Sequence, residues 1–157
     1  MSFPRYPKYK PSGVEWLGEV PLHWQAKRLK YNLRLHTEKT DRRDHPIALE
    51  NIESWTGRLV HTDSKFQGEG IAFNPGDILF GKLRPYLAKV YCAEFSGEAV
   101  GDFHVLRPVA GISSRFAQYQ MLNRDFIEIV DGSTFGSKMP RASWESVGGM
   151  MVTTPPL

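Results

Sequence analysis

The chain has a single cysteine, Cys92, in 157 residues, so no disulfide can form within it and its core has to rest on apolar packing. Long hydrophobic runs are missing too. Nothing approaches the roughly 18 apolar residues that span a bilayer, and the opening Met1-Ser2-Phe3-Pro4-Arg5-Tyr6-Pro7 lacks the apolar centre of a signal peptide. These absences point to a cytoplasmic protein. No Gly-x-Gly-x-x-Gly or Walker pattern cradles phosphate; Gly68-Glu69-Gly70 comes nearest and lacks both the third glycine and a following helix. The five histidines, His23, His36, His45, His61 and His104, include no pair at ligand spacing, which argues against a metal site. A metal-dependent nuclease needs clustered carboxylates. Asp63-Ser64-Lys65 is the closest approach, has no Pro-Asp partner upstream, and reads more simply as a polar turn. No catalytic group and no cofactor are expected.

What is present is ordinary for a folded domain: 41% hydrophobic and 24% charged residues, at a length that fits one domain with its own core. The net charge of +3 is mild but unevenly spread. Residues 1–45 hold ten Lys/Arg against five Asp/Glu, a net of +5, while residues 46–157 hold ten against twelve, a net of −2. An excess of positive charge at one end is either a phosphate-facing patch or a solubilising tail.

Along the chain, residues 1–13, with Pro4, Pro7, Pro11 and Gly13, read as an irregular lead-in. Trp24–Leu35 fits neither the helical nor the strand period and is expected to hold a short strand or helix. Thr37–Pro46 is polar throughout and reads as an exposed loop. Short strands are expected at 47–52, 57–61, 71–73, 77–80, 86–92 and 99–106, and their close spacing favours antiparallel or mixed pairing. Helix then takes over. Ser113 or Ser114 can cap a segment to about Val130, with a break near Asn123 and an end at Gly132. A loop over 132–141, a short helix from Ser143 and a strand over 150–153 complete the chain. The fold class is therefore α/β in the α+β sense: a mixed, mainly antiparallel sheet with helices.

The stretch Gly76-Asp77-Ile78-Leu79-Phe80-Gly81-Lys82-Leu83-Arg84-Pro85-Tyr86 carries the strongest functional signal. A buried-strand run leads into a turn bearing Lys82, Arg84 and Tyr86, so a rigid element delivers groups suited to phosphate and base edges. Arg84 precedes a proline and is expected in extended geometry, sharing a strand face with Lys82. An arginine so fixed can grip guanine or phosphate with two parallel bonds; the alternative is a surface salt bridge. Tyr86 is either a contact or a core residue. A second candidate is Gly132-Ser133-Thr134-Phe135-Gly136-Ser137-Lys138-Met139-Pro140-Arg141, where Ser137, Lys138 and Arg141 suit a phosphate backbone, or else form a solvated loop. Asn51, Glu53, Trp55, Arg58, Lys65 and Gln67 are polar or aromatic residues of the kind that read base edges, though residue type alone does not assign them. Trp16 and Trp24 read as core or anchor residues, Cys92 as a small buried residue, and His104 as a solvent-side or hydrogen-bonded imidazole.

Gly13-Val14-Glu15-Trp16-Leu17-Gly18-Glu19-Val20-Pro21-Leu22-His23-Trp24 resembles the entry segment of the DNA-reading specificity (S) subunits of type I restriction-modification systems. Gly-Asp-Ile-Leu-Phe with Leu-Arg-Pro-Tyr, then Phe103-His104-Val105-Leu106-Arg107-Pro108, then Gly136-Ser137-Lys138-Met139-Pro140-Arg141 and Pro155-Pro156-Leu157 follow in that family's order. The resemblance implies a target recognition domain over residues 1–157, amino-terminal in its subunit, without the coiled-coil helix of a full-length member. It implies sequence-specific binding of double-stranded DNA as one half of a split site. The implied partners are methyltransferase (M) subunits and the restriction (R) subunit, with no membrane and no catalysis in this chain. Adenine methyltransferases resemble one another in an Asn/Asp-Pro-Pro-aromatic motif, and Thr154-Pro155-Pro156-Leu157 has neither the amide or carboxylate nor the ring. Two other classes stay open: an assembly or inhibitory module docking on methyltransferase subunits, and a small standalone DNA-processing enzyme.

Overall fold

The computed structural model describes residues 6, 8–63, 66, 68–134 and 139–155. The first half holds β1 (Tyr9–Pro11), β2 (Glu19–Pro21), β3 (Gln25–Arg28), β4 (Leu33–His36), β5 (Lys39–Thr40) and β6 (Pro46–Ile47). Next come β7 (Gly70–Phe73), β8 (Ile78–Gly81), β9 (Val90–Cys92), β10 (Gly97–Val100) and β11 (Phe103–Pro108). Helices α1 (Ser114–Met121), α2 (Arg124–Gly132) and α3 (Trp144–Gly148) precede β12 (Met151–Thr154).

A central antiparallel sheet, ordered β4-β11-β8-β9, separates two cores. Strand side chains alternate between faces, and β8 shows the division. Ile78 and Phe80 join Leu106, Val90, Phe126, Ile127, Val130 and Val147 on the helical side, while Leu79 packs with Tyr91, Val105, Phe73 and Ala99 on the other. Burial on both faces explains why the sequence of β8 is apolar throughout rather than alternating. The second core is closed by the sheet β5-β7-β10-β6, in which β10 runs parallel to β6 and antiparallel to β7. The sheet is thus mixed and mainly antiparallel, as the strand spacing predicts.

The helices begin where short polar side chains can accept from free backbone N–H groups. Ser113 Oγ accepts from Phe116 N, Asn123 Oδ1 from Asp125 N at 2.8 Å, and Ser143 Oγ from Ser146 N. Asn123 is the break expected in the helical segment, and it makes two helices of one. Among the described residues no helix is long and apolar enough to cross a membrane.

Several expectations need correction. Part of the supposed lead-in is a strand, because Tyr9–Pro11 pairs with Glu19–Pro21 across a loop that Ser12 N closes on Gly18 O at 2.8 Å. The supposed loop over 37–46 contributes β5 and the start of β6, two-residue strands formed by their partners rather than by any pattern of their own. Within Ile47–Ile52 only Ile47 belongs to a strand, Leu49–Asn51 is a 3-10 turn, and 57–61 keeps a single bridge, Ile52 to Leu59. The run 99–106 is two strands in different sheets, separated by Gly101.

Candidate nucleic-acid interface

The landmarks picked out in the sequence are tied to one another in space, and two of the ties are structural. Asp77 is buried, and Arg107 donates to it through both Nε (2.9 Å) and Nη2 (2.8 Å), a two-pronged pair joining the start of β8 to the end of β11. Asp77 also accepts from Asn74 N at 2.8 Å, closing the turn before β8. His104, buried on the helical side of β11, donates from Nε2 to Ala142 O at 2.9 Å. Burial holds its imidazole below the ordinary value, and nearby Lys82 adds to that effect against the pull of the Ala142 carbonyl.

The third tie builds the candidate surface. Past Gly81 the chain meets the segment before α3: Ala142 N donates to Lys82 O (2.8 Å), Leu83 bridges Arg141, and Arg84 N donates to Pro140 O (2.7 Å). The two basic turns, far apart in sequence, are one backbone-bonded unit presenting Lys82, Arg84 and Arg141. Arg84 does not continue the strand, and Lys82 does not share a strand face with it. Its φ and ψ are 51° and 62°, in the left-handed region. Proline at 85 disfavours right-handed helical geometry at 84, and the 3-10 turn Pro85–Leu87 still needs the Arg84 carbonyl as acceptor for Leu87 N, so the chain turns there through the left-handed well. The turn ends at Ala88, also left-handed at φ 49°.

Side chains on this unit differ in how free they are. Arg84 is exposed and Lys82 half-buried, and neither forms an ion pair with the described residues. Arg141 is exposed but donates from Nε to Asp102 Oδ1 at 3.1 Å. Tyr86 lies on the surface, 49% exposed, which settles it as a surface residue rather than core.

A third segment abuts the same turn. The loop from Glu53 to Arg58 is closed by Glu53 N to Arg58 O (2.8 Å) and fastened by Trp55 N to Ala88 O (2.8 Å). Gly57 lies so close to the Val90 carbonyl oxygen that a Cβ would collide with it, which locks the loop to β9. Arg58 is exposed, with Glu53 at 3.8 Å. Trp55 is 42% exposed in a left-handed conformation (φ 69°), and the Arg124 guanidinium sits 5.7 Å from its ring centre. Sequence reading does not single out Arg124 or Asp102; their importance is spatial, and no local pattern signals it. Asn51 is committed internally, donating to Val60 O and Thr62 Oγ1 and accepting from Ala48 N. Lys65, Gln67, Ser137 and Lys138, like Ser64 of the acid-x-Lys stretch, lie outside the described residues.

Not all of the amino-terminal positive charge faces outward for a ligand. Arg28 donates to Gly149 O, Arg43 to the carbonyls of Thr40, Arg42 and Gly68, and Lys39 pairs with Glu69. Trp16 packs edge-on to Phe126 and Trp24 to Phe116, as anchors. Cys92 is buried. No group of three metal-binding side chains occurs among the described residues.

No family model matches the chain. It is 26% identical over 150 residues to the type I restriction enzyme EcoDI specificity subunit of Escherichia coli, covering 90% of this chain and 33% of that protein. The chain therefore spans about a third of the length of the curated relative it matches. Its fold is shared with the HsdS subunit from Thermoanaerobacter tengcongensis, at a TM-score of 0.69 and 20% identity over 88% of this chain and 39% of that one. A chain from a structure describing complex assembly and conformational transition of the type I R-M system aligns at a TM-score of 0.70 and 19% identity, over 87% of this chain and 39% of that one. The likeness read from the sequence motifs thus holds in sequence and in fold: the chain resembles the target recognition domain of a type I restriction-modification specificity subunit.

Proposed function

We propose that this domain binds double-stranded DNA and reads one half of a split target for a type I restriction-modification complex. The observation that carries the reading is the bonded unit of residues 82–84 and 140–142. It fixes Lys82, Arg84 and Arg141 on one rigid backbone, with Arg84 exposed and without an ion pair among the described residues. Positioned cations of this kind supply affinity through phosphates, and an arginine held by its backbone supplies base discrimination. Arg58 on the adjoining loop, and Ser137, Lys138, Lys65 and Gln67, complete the proposed contact set. Similarity to a specificity subunit supports the same role. The chain contributes recognition; methylation, translocation and cleavage belong to the M and R subunits of the complex, in the cytoplasm.

The test is selection of bound sequences from random duplexes by the chain together with a methyltransferase subunit. Recovery of a short fixed motif, lost on Arg84→Ala, is the expected result. A subunit complex that forms without enriching any sequence would favour an assembly module, and methylation or cleavage by this chain alone would favour an enzyme.

A further inference from the structure

Every non-glycine residue with positive φ among the described residues sits at one corner of the molecule: Trp55 at 69°, Arg84 at 51° and Ala88 at 49°. The three are linked directly, since Trp55 N donates to Ala88 O and the turn between Arg84 and Ala88 is closed by Leu87 N to Arg84 O and Ala88 N to Pro85 O. A bulky aromatic residue rarely adopts this conformation, and it persists only where the surroundings enforce it. Here the enforcement is visible in the Ala88 bond on one side of the loop and the absence of room at Gly57 on the other.

The constraint does not bury the indole. Trp55 stays 42% exposed, and the neighbouring turn exposes Tyr86 (49%) and Leu87 (36%). These groups are held at the surface beside several cations, and that combination indicates the partner they suit. Arg84 lies in the same turn, Arg58 closes the same loop, and Arg124, the first residue of α2, places its guanidinium 5.7 Å from the indole centre. An apolar protein partner would bury these cations at a cost, whereas a nucleic acid offers base faces to the ring and phosphates to the cations together.

We propose that Trp55 is a wedge that enters duplex DNA at a deformable base step, with Arg124 as a positioning residue that steadies the indole and meets the flanking phosphate. The proposal rests on the DNA-binding reading above and extends it from direct contacts to duplex shape, a form of selectivity that needs no base-edge hydrogen bond. Trp55 then adds preference for a step that unstacks easily to the base and phosphate contacts proposed for Arg84 and Arg141.

The experiment compares binding of the chain, at low salt, to a short intact duplex and to the same duplex carrying one central mismatch, which unstacks more easily. The wild-type chain should prefer the mismatched duplex by about ten-fold, the order expected for gaining one stacked aromatic contact. Trp55→Ala should lose that preference, its binding to the mismatched duplex falling about ten-fold further than its binding to the intact one. Trp55→Phe, which keeps a ring and guards against misfolding of the alanine variant, should retain part of the preference, and Arg124→Gln should lower it more than Arg124→Lys. Arg84→Ala should weaken binding to both duplexes alike. A wild-type chain without the preference, or a Trp55→Ala chain that keeps it, overturns the wedge and leaves the DNA-binding reading standing. A wild-type chain that binds neither duplex overturns both, and capture of a methyltransferase subunit that is lost in Trp55→Ala would then assign the corner to protein docking.

Discussion

Arg84 combines an exposed cation with a backbone conformation that costs an L-residue about 1–2 kcal/mol relative to glycine. Its side chain has no hydrogen bond or ion pair among the described residues, so support and contact can be separated by one substitution. Arg84→Gly should leave the melting temperature unchanged or raise it, because relief of left-handed strain offsets the extra freedom of glycine in the unfolded chain. The same variant should weaken duplex binding by about 1–3 kcal/mol if the guanidinium reads a base, with relaxed selectivity at one position. Thermal unfolding and a binding titration on one preparation check this; a variant that melts much lower would show that the side chain is structural. Arg141 presents the reverse case. Asp102 holds its guanidinium and offsets its charge, in a half-exposed pair of little worth to stability. Asp102→Asn should therefore tighten DNA binding, with little change in melting temperature, and an unchanged affinity would count against Arg141 as a DNA contact.

At the scale of elements, β8 and β11 carry both the fold and the candidate surface. Arg107→Ala would strand the buried Asp77 carboxylate and should cost about 3 kcal/mol of stability. Denaturant unfolding reads this directly, and Asp77→Asn with Arg107→Ala together should cost less than Arg107→Ala alone. His104 makes the contact between β11 and the second basic turn dependent on pH. Its folded-state pKa lies below the ordinary value of 6.5, so the unfolded chain binds the proton more readily. Stability contributed by neutral His104 is thus fully present above about 6.5 and falls as pH drops from there through the folded-state value. A melting temperature that declines between neutral and mildly acidic pH in wild type, and declines less in His104→Gln, is the expected result. These ties also show what the sequence can reveal. Strands β7 and β8, the capped helices and the strand at the carboxyl end are legible because their signals are local: apolar runs, Ser113, Asn123, Ser143 and Gly132. The two- and three-residue strands β1, β5 and β6 are not, since pairing partners define them. Lys82, Arg84 and Arg141 stand out by composition. Their union does not, because it depends on Leu83 meeting Arg141, 58 positions further along the chain, and the left-handed turn at Arg84 reverses the extended geometry that Pro85 alone suggests.

For the whole molecule, the cations gathered on the proposed DNA-facing corner are few, and on the DNA-binding reading that limits the strength of binding. Three of the ten amino-terminal cations, Arg28, Lys39 and Arg43, are engaged with backbone carbonyls or carboxylates. A footprint built on Lys82, Arg84, Arg141 and Arg58 should release about one counterion per phosphate met, so the logarithm of the binding constant should fall with the logarithm of salt at a slope of about −3 to −4. Such a footprint would give weak and poorly selective binding by the isolated chain, which matches only about a third of the curated relative's length. Linking two weak sites converts the second contact into an intramolecular step and can raise avidity by about 10²–10⁴ without any new contact, provided the linker spans both half-sites. Two copies joined by a long helical spacer should therefore bind a duplex with two matched half-sites far more tightly than one copy does, and should lose the gain when the spacing between half-sites is changed by half a helical turn. Nanomolar selective binding by the single chain, or indifference of the tandem protein to spacing, would show that recognition does not divide into halves in this way.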